Sequence, residues 1–420
     1  MRICFLSRRY FPAVSGMSVY ARNMTKALSD RGHEVVMISQ YREDEKGIGI
    51  YGGGEPPREP WMEVHGLRSF GEERARPDVP ADFEQDLRDM VNKAVELHRE
   101  KPFDLVHAQY CYPNGTAALE ISKRLGIPNV VSIQGGDGHW VGLCCKTHKQ
   151  AMLAVLNHAM SLIIGSESFA EEVTQNHGTP AERFTIIPGA TNTERFQPFQ
   201  KPGSLRHPVR LLYHGRVDQR KGVLDFIYMG HHLEQRGYHV QLLISGIGPD
   251  MQASRDLSRQ LDLEDRVTFM GYAPYDRAHE VYRAGDIFLS PTYAEGFSNT
   301  ILEAMACGLP IVSTRSVGVV DCLTHDRNAL LVEPGHITQL TDATQQLIDD
   351  RQLRERLAEA ALQEVHEKYS WKVVARQIEA IYQQKVGERS DDRWTSFFDV
   401  GDNVESADLS CRFRAEPHLL

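Results

Sequence analysis

Short apolar runs alternate with longer stretches of helical periodicity along the first half of the chain. The runs RICFLS, HEVVMIS, FDLVHA, NVVSIQG, SLIIGS and FTIIPG each have the length of one strand. Between the first two runs, apolar residues recur at helical spacing from Val19 to Leu28, and Gly32 follows just past the predicted helix end. Continuous apolar strands that alternate with helices are typical of a parallel sheet covered on both faces.

The same pattern begins again near residue 208. The predicted strands of this second half are VRLLYHGRV, HVQLLISGIG, RVTFMGY, DIFLSPT and PIVST. Residues 195–208 are rich in proline and charge, which predicts a linker. We therefore predict an α/β fold of two Rossmann-like, doubly wound domains, residues 1–200 and 208–368, that face each other across a cleft. Ligands of such sheets bind at the carboxyl ends of the strands.

Two segments fit this pattern less well. Residues 40–82 are polar and rich in glycine and proline, so we expect a long loop there. Its GIGIYG (47–52) matches G-x-G-x-x-G, but the flanks resemble neither a strand nor a helix start, which favours a flexible loop over a dinucleotide site. The tail, residues 386–420, shows no clear period and receives no prediction.

Composition narrows the partners. The 420 residues carry a formal net charge of -10, which argues against general binding of nucleic acid or anionic membrane and leaves room for a local phosphate-binding patch. The seven cysteines form no C-x-x-C pair and suggest neither a zinc site nor a disulfide framework. No apolar run is long enough for a transmembrane helix. These features predict a cytoplasmic protein.

Two glutamates with seven residues between them carry the first functional hypothesis. Glu295 lies in the loop after the strand DIFLSPT, and Glu303 lies on a short helix that we expect to begin near Ser298 or Asn299. The free N–H groups of a helix start bind anions. A buried carboxylate is costly without partners, and it can accept the two adjacent hydroxyls of a ribose. The alternative is that Glu303 caps a neighbouring loop and Glu295 is solvated.

A basic loop supplies complementary chemistry. Arg216 and Lys221 follow the strand LLYH and are flanked by Gly215 and Gly222. Arginine offers a fork for phosphate oxygens and lysine a point charge, so the two can converge on one anion. A solvated surface loop is the alternative for this segment taken alone. Its presence with the glutamate pair, both at strand ends of one domain, favours a nucleotide-sugar site.

These segments resemble the retaining nucleotide-sugar glycosyltransferases of family 4, which have the GT-B fold. The specific similarities are GRVDQRKG (215–222) and EGFSNTILEAMACGLP (295–310). Weaker similarities extend the resemblance over most of residues 1–385, in FPAVSGMSVYARNMTKALSDRGHEV, IPNVVSIQGGDG, FTIIPGATNTERFQP and NALLVEPG. The resemblance implies an acceptor-binding first domain, a donor-binding second domain, and a helix at about 369–385 that crosses back to the first.

The resemblance also implies roles for single residues. Arg216 and Lys221 would hold the donor diphosphate, Glu303 the ribose hydroxyls, and Glu295 the donor sugar; Arg216, Lys221 and Glu295 are the predicted catalytic residues. The other implied donor contacts are Gly16, Gly215, Tyr272, Gly296, Phe297, Ser298 and Asn299.

The chain departs from the family pattern at several positions. Ser15 precedes Gly16 where the family has a second glycine, and Gln134 replaces the usual histidine of its His-Gly segment. Glutamine can hydrogen-bond a hydroxyl but carries no proton at neutral pH. We predict Gln134, Asp137 and His139 as contacts of the sugar or acceptor, with a structural turn as the open alternative for the last two.

The implied reaction is retaining transfer from a nucleotide-diphosphate sugar, expected to be UDP-linked, to an acceptor hydroxyl, with front-face attack and the leaving phosphate taking the acceptor proton. No cofactor or metal is expected, because the chain has no Asp-x-Asp sequence and its cations can stabilise the leaving group. The acidic balance favours a small soluble acceptor over a lipid, and no nucleic-acid partner is expected. A nucleotide-sugar 2-epimerase of the same fold and a non-catalytic nucleotide-sugar binder remain as alternatives; a donor incubated alone is converted only by the epimerase.

Overall fold

The computed structural model describes residues 1–13, 15–69, 71 and 83–396. The chain folds into two compact units. We call Met1–Pro188 together with the chain from Ala375 onward unit 1, and Gly189–Val374 unit 2.

Unit 1 is built on a parallel sheet of seven strands in the order β3-β2-β1-β4-β5-β6-β7. The strands are β1 Arg2–Ser7, β2 Glu34–Tyr41, β3 Glu63–Arg68, β4 Leu105–Gln109, β5 Asn129–Ile133, β6 Ser161–Ile164 and β7 Phe184–Ile186. The helices are α1 Gly16–Ser29, α2 Glu45–Tyr51, α3 Phe83–Glu100, α4 Thr116–Leu125, α5 Gly136–His139, α6 Lys146–His158 and α7 Glu167–His177. The central strands are buried on both faces, as their continuous apolar runs predict.

Unit 2 has a parallel sheet of six strands in the order β10-β9-β8-β11-β12-β13. The strands are β8 Val209–His214, β9 Val240–Ser245, β10 Val267–Gly271, β11 Ile287–Ser290, β12 Ile311–Thr314 and β13 Leu330–Val332. The helices are α8 Val223–Gln235, α9 Met251–Gln260, α10 Ala278–Ala284, α11 Asn299–Ala306, α12 Ile337–Asp349 and α13 Arg351–Lys368. A last helix, α14, spans Trp371–Lys385 and continues the chain into unit 1.

The prediction of two Rossmann-like domains is confirmed. In each sheet the chain builds outward from one central strand, crosses back, and then builds outward on the other side. The strand order therefore reverses between β1 and β4 in unit 1 and between β8 and β11 in unit 2. Such a reversal opens a crevice at the carboxyl ends of the two strands. In unit 2, the basic loop follows β8 and the loop of Glu295 follows β11.

The prediction of a long loop at residues 40–82 is wrong for much of that segment, which contains a helix and a strand. β2 continues to Tyr41, α2 forms within the segment, and β3 pairs in parallel with β2. GIGIYG lies mainly in α2, where the Asp44 carboxylate accepts a hydrogen bond of 2.8 Å from the Gly47 amide, so the flexible-loop reading is also wrong. The strand signal was weak because β3 is an edge strand with a half-exposed, partly polar sequence. Residues 70 and 72–82 of that loop lie outside the described residues.

The linker and the tail have packed structure. Residues 195–208 contain neither helix nor strand, and Phe196 within them is fully buried in unit 2 against Tyr282. In the tail, the Trp394 carbonyl accepts a hydrogen bond of 2.9 Å from Lys123 on α4, and the Ser390 hydroxyl donates to the Ser122 carbonyl. Residues 397–420 lie outside the described residues. Across the described part of the chain, every helix is too short or too polar to span a bilayer.

Candidate functional site

The loops after β8 and β11 are packed backbone against backbone. Gly222 has a φ of +73°, and a Cβ added there would lie 2.0 Å from the carbonyl oxygen of Pro291, so glycine is required on both grounds. The amide of Tyr293 donates a hydrogen bond of 3.0 Å to the Arg220 carbonyl. These contacts hold the basic loop and the glutamate loop side by side.

Arg216 is anchored at both its backbone and its side chain. Its carbonyl accepts a hydrogen bond of 2.6 Å from the Tyr213 hydroxyl, and its Nε lies 3.6 Å from the carboxylate of buried Asp218. Burial acts to raise the pKa of Asp218, but hydrogen bonds from Arg220 outweigh burial and hold that pKa below its ordinary value. Asp218 is therefore an anion that orients Arg216, whose side chain stays 29% exposed and accessible to a ligand.

Lys221 and Glu295, predicted from separate segments, lie in direct contact. The Lys221 ammonium is 2.8 Å from Oε2 of Glu295 and donates a hydrogen bond of 3.1 Å to the Ala294 carbonyl. The Glu295 amide in turn donates to the Val317 carbonyl. Gly318 packs so closely that a Cβ added to it would lie 2.1 Å from the backbone carbonyl oxygen of Glu295. The loop of Glu295 is thus fixed from two sides, by the basic loop and by the segment after β12.

The start of α11 lies directly after this loop. The helix begins at Asn299 and ends at Ala306, with Ser298 as N-cap and Gly308 beyond its end, so the predicted helix is confirmed. The Ser298 hydroxyl lies 3.2 Å from the Thr300 hydroxyl and makes no capping bond to the helix backbone. The first amides of a helix lack intrahelical partners and carry its positive end. Gly296 and Phe297, between Glu295 and the N-cap, complete the predicted donor segment.

Glu303 is a buried acid with a single tyrosine partner. It is 4% exposed, and its Oε2 accepts a hydrogen bond of 2.6 Å from the Tyr282 hydroxyl. Burial raises the pKa of Glu303 to about 7, although the Tyr282 bond and the charge of Arg195 act to lower it. Among the described residues, Tyr282 is the one hydrogen-bond partner of this carboxylate, and Oε1 is left available to a ligand.

Tyr282 and His214 belong to the same site but were missed by sequence reasoning. The Tyr282 ring packs against Phe196, His214 and Phe288 at centroid distances of 5.6, 5.3 and 5.8 Å. Burial lowers the pKa of His214 to about 4, so its ring is neutral at neutral pH. In the sequence, only its position directly before Gly215, a predicted donor contact, points to His214 as a site residue. Tyr282 has no local signal, because only the fold brings α10 against α11.

Tyr272, the predicted neighbour of the base, lies at the end of β10. It is 47% exposed, and burial of its hydroxyl raises its pKa. No contact within the described residues joins it to Glu303, so its assignment as a neighbour of the base stays a prediction.

The predicted contacts in unit 1 cluster at the carboxyl ends of its central strands. Gly16 is the first residue of α1, and Ser15 before it forms a capping box with Ser18: the Ser15 hydroxyl accepts from the Ser18 amide at 3.2 Å, and the Ser15 amide donates to the Ser18 hydroxyl at 2.8 Å. Ser15, which stands where the family pattern has a glycine, therefore stabilises the start of α1.

Gln134 follows β5 and is held in a polar network. Its Oε1 accepts a hydrogen bond of 2.6 Å from Gln109, whose amide group also donates to the Met17 carbonyl and accepts from the Ser7 hydroxyl. The network joins the ends of β1, β4 and β5 to α1. Gln134 also hydrogen-bonds the side chain of Tyr20 on α1, so both ends of its amide group are oriented by protein partners.

Asp137 makes the backbone hydrogen bonds expected of a structural turn, the alternative to a contact with the sugar or acceptor. Its Oδ1 accepts from the amides of Gln134 and Gly135, and its Oδ2 accepts a hydrogen bond of 2.8 Å from the amide of Cys111. It is fully buried, and burial raises its pKa despite these bonds. Both oxygens are thus committed to the backbone. His139 lies beside it, with Nδ1 at 2.9 Å from Glu172 and its ring against Phe169.

Comparison with known proteins decides the family. Residues 195–364 match the model for the glycosyl transferases group 1, and residues 15–190 match the model for the glycosyl transferase 4-like domain. The chain belongs to the group 1 glycosyl transferases. It is 25% identical over 378 residues to a D-inositol 3-phosphate glycosyltransferase of Pseudarthrobacter chlorophenolicus, covering 82% of this chain and 85% of that protein.

Two solved structures show the fold of this glycosyltransferase family member. One is sucrose-phosphate synthase of Thermosynechococcus elongatus, with a TM-score of 0.73, 22% identity, and coverage of 91% of this chain and 98% of that one. The other is Anabaena HepE in complex with UDP and glucose, with a TM-score of 0.70, 18% identity, and coverage of 91% and 99%. These likenesses confirm the predicted GT-B fold.

This glycosyltransferase family member also contains a group of possible metal ligands outside the predicted site. The sulfur atoms of Cys144 and Cys145 and a ring nitrogen of His148 lie within 4.8 Å of one another. A search of the sequence for C-x-x-C overlooks them, because the two cysteines are adjacent and the histidine comes from the following helix. The six described cysteines form no disulfide.

Proposed function

We propose that this protein is a retaining glycosyltransferase that moves a hexosyl or N-acetylhexosaminyl group from a UDP-linked donor to an acceptor hydroxyl. The observation that carries the proposal is the ion pair in unit 2 between Lys221 of the basic loop, which also holds the anchored Arg216, and Glu295 of the loop that leads into the helix bearing Glu303. The bound UDP and glucose of Anabaena HepE support UDP as the carrier.

Each end of the donor has a complementary group. Arg216 and Lys221 bind the diphosphate, because a guanidinium fork and an ammonium together neutralise its charge. Glu303 binds the two ribose hydroxyls, a role that fits a buried carboxylate with one oxygen available to a ligand. Glu295, oriented by Lys221, contacts the donor sugar. The amides at the start of α11 lie next in sequence and favour negative charge.

The chemistry follows from charge that develops as the donor breaks. When the bond between the anomeric carbon and the phosphate oxygen breaks, the diphosphate gains negative charge, and Arg216 and Lys221 stabilise that charge without reorganising. The acceptor oxygen forms its bond on the face that the leaving group vacates, and its proton passes to a leaving phosphate oxygen. No protein base is required, and Gln134 serves as a hydroxyl contact because an amide takes no proton at neutral pH. We propose a reaction without a metal, a small soluble acceptor and a cytoplasmic setting.

A panel of nucleotide sugars tests the proposal. Melting of the full chain is followed with UDP-, GDP- and ADP-linked sugars, because a ligand that binds the folded state raises the melting temperature. The UDP-linked sugars are expected to give the largest rise. The best donor is then incubated with an acceptor panel, and the anomeric configuration of the product is read by NMR. A product with inverted configuration contradicts the mechanism, and conversion of the donor without acceptor indicates an epimerase instead.

A further inference from the structure

A cluster of two thiols and one imidazole lies in unit 1, at the turn that joins α5 to α6. Cys144 and Cys145 end the turn, and His148 lies in the first turn of α6. The distance from Cys144 Sγ to His148 Nδ1 is 3.2 Å, and that from Cys145 Sγ to the same nitrogen is 3.3 Å. Both sulfur atoms therefore converge on one nitrogen.

Cys145 Sγ also accepts a hydrogen bond of 3.5 Å from the His148 amide as the N-cap of α6, which places it near the ring but does not bring Cys144 Sγ to the same nitrogen. A ring nitrogen offers either one lone pair or one N–H, so it satisfies one sulfur in a linear hydrogen bond and leaves the second contact weak. A cation between the three atoms satisfies all of them, since thiolates and a neutral imidazole are ligands of Zn²⁺. We propose that Cys144, Cys145 and His148 form a binding site for Zn²⁺.

The distances fit a tetrahedral ion. Zinc–sulfur and zinc–nitrogen bonds of usual length, at a tetrahedral angle, place sulfur and nitrogen about 3.6 Å apart. The two observed distances, 3.2 and 3.3 Å, are within reach of that value after small side-chain adjustments. His148 is buried, whereas Cys144 and Cys145 are half-buried, so water can supply the fourth ligand.

The ion would bridge the end of the turn to the first turn of α6, next to contacts that join this region to the end of β4. The bridged turn directly follows α5, whose Asp137 binds the backbone of Cys111 after β4. The ring of Tyr112, also after β4, packs against the His148 ring at 4.9 Å. A bound ion therefore fixes Cys144 and Cys145 against the start of α6, and the His148 ring that it holds packs on Tyr112. This inference is independent of the proposed transfer reaction.

Metal binding to the full, tag-free chain tests the site. The protein is reduced, stripped with a chelator and dialysed against ZnSO₄, and bound zinc is measured by mass spectrometry. One equivalent is expected. Cys144→Ser, Cys145→Ser and His148→Asn are each expected to weaken affinity at least about 100-fold, since even outer-sphere changes cost 10- to 100-fold. Cys307→Ser and His158→Gln, a thiol and an imidazole outside the cluster, serve as matched controls and are expected to bind like the wild type.

A second measurement on the wild type keeps the test decisive if a variant fails to fold. X-ray absorption of the zinc-loaded chain is expected to show two sulfur neighbours and one nitrogen neighbour with a light atom in the fourth position. Absence of stoichiometric zinc in the reduced wild type, a shell without sulfur, or unchanged affinity in folded Cys144→Ser and Cys145→Ser overturns the proposal.

Discussion

Replacing Glu303 by Gln removes a buried negative charge and keeps the shape of the side chain and an oxygen for the Tyr282 hydrogen bond. Burial raises the pKa of Glu303 from 4.5 to about 7. A carboxyl whose pKa is raised holds its proton more tightly in the folded chain than in the unfolded chain. Its contribution to stability is therefore full below pH 4.5 and is lost as the pH rises through 7.

The size of this effect follows from the same two values. At roughly 1.4 kcal/mol per pH unit, a rise from 4.5 to about 7 costs the wild type about 3 kcal/mol of unfolding free energy above pH 7. The glutamine variant does not lose this free energy, because its side chain does not ionise. We expect it to be more stable than the wild type by up to about 3 kcal/mol at pH 8, with the difference vanishing near pH 4.

Although Glu303→Gln is expected to raise stability at pH 8, it is expected to weaken donor binding. The ionised carboxylate accepts both ribose hydroxyls, and hydrogen bonds to a charged group are worth about 1.5–3 kcal/mol, so Glu303→Gln is expected to weaken UDP binding roughly 10- to 100-fold. Wild-type affinity is expected to rise between pH 6 and pH 8 as Glu303 ionises, and Glu303→Ala is expected to weaken donor binding at every pH.

Urea unfolding of the full chain at pH 4 to 8 and titration calorimetry with UDP measure the two effects. Glu359→Gln, an exposed carboxylate on α13, is the matched control and is expected to change neither. A stability difference that does not depend on pH, or unchanged UDP affinity in Glu303→Gln, would refute the reasoning.

Lys221→Ala is expected to lower kcat about 100- to 1,000-fold, because the charge that stabilises the leaving diphosphate is lost. Stability is expected to change by less than about 1 kcal/mol, because the lysine is partly exposed, and wild-type turnover in this variant would contradict the assignment. Arg216→Lys is expected to weaken donor binding about tenfold in calorimetry because the planar fork is lost, and equal affinity would exclude a bidentate contact. Gly222→Ala is expected to lower the melting temperature by several degrees and impair donor binding, because the added Cβ meets the Pro291 oxygen; a wild-type melt would contradict the loop packing. Added Mg²⁺ or Mn²⁺ is expected to leave kcat unchanged, and marked stimulation would count against a metal-free reaction.

The architecture of the site could be predicted because its elements are strongly patterned. β8 and β11 are mostly apolar runs, and α11 is bounded by Ser298 and Gly308, so the strand ends that carry Arg216 and Glu295 could be placed from the sequence. The edge strand β3 and the short helix α2 were missed, because a half-exposed strand lacks a continuous apolar run and a helix of seven residues barely shows a period.

The partners of the site residues depend on distant segments and could not be predicted. Tyr282 reaches Glu303 from α10, and Gly318 packs on the Glu295 loop from the segment after β12. Neither residue has a local pattern that sets it apart. The raised pKa of Glu303 likewise follows from how completely neighbouring elements cover it. In unit 1, the cysteine–histidine cluster arises because a turn and the helix after it place three ligand atoms together.

The crystal structure of the full chain with the best donor from the nucleotide-sugar panel is the most direct test of the central claim. We expect the ribose hydroxyls at hydrogen-bond distance, about 3 Å, from Glu303, and the diphosphate against Arg216 and Lys221. A nucleotide bound elsewhere, or a diphosphate held to the protein through a metal ion, would contradict the account.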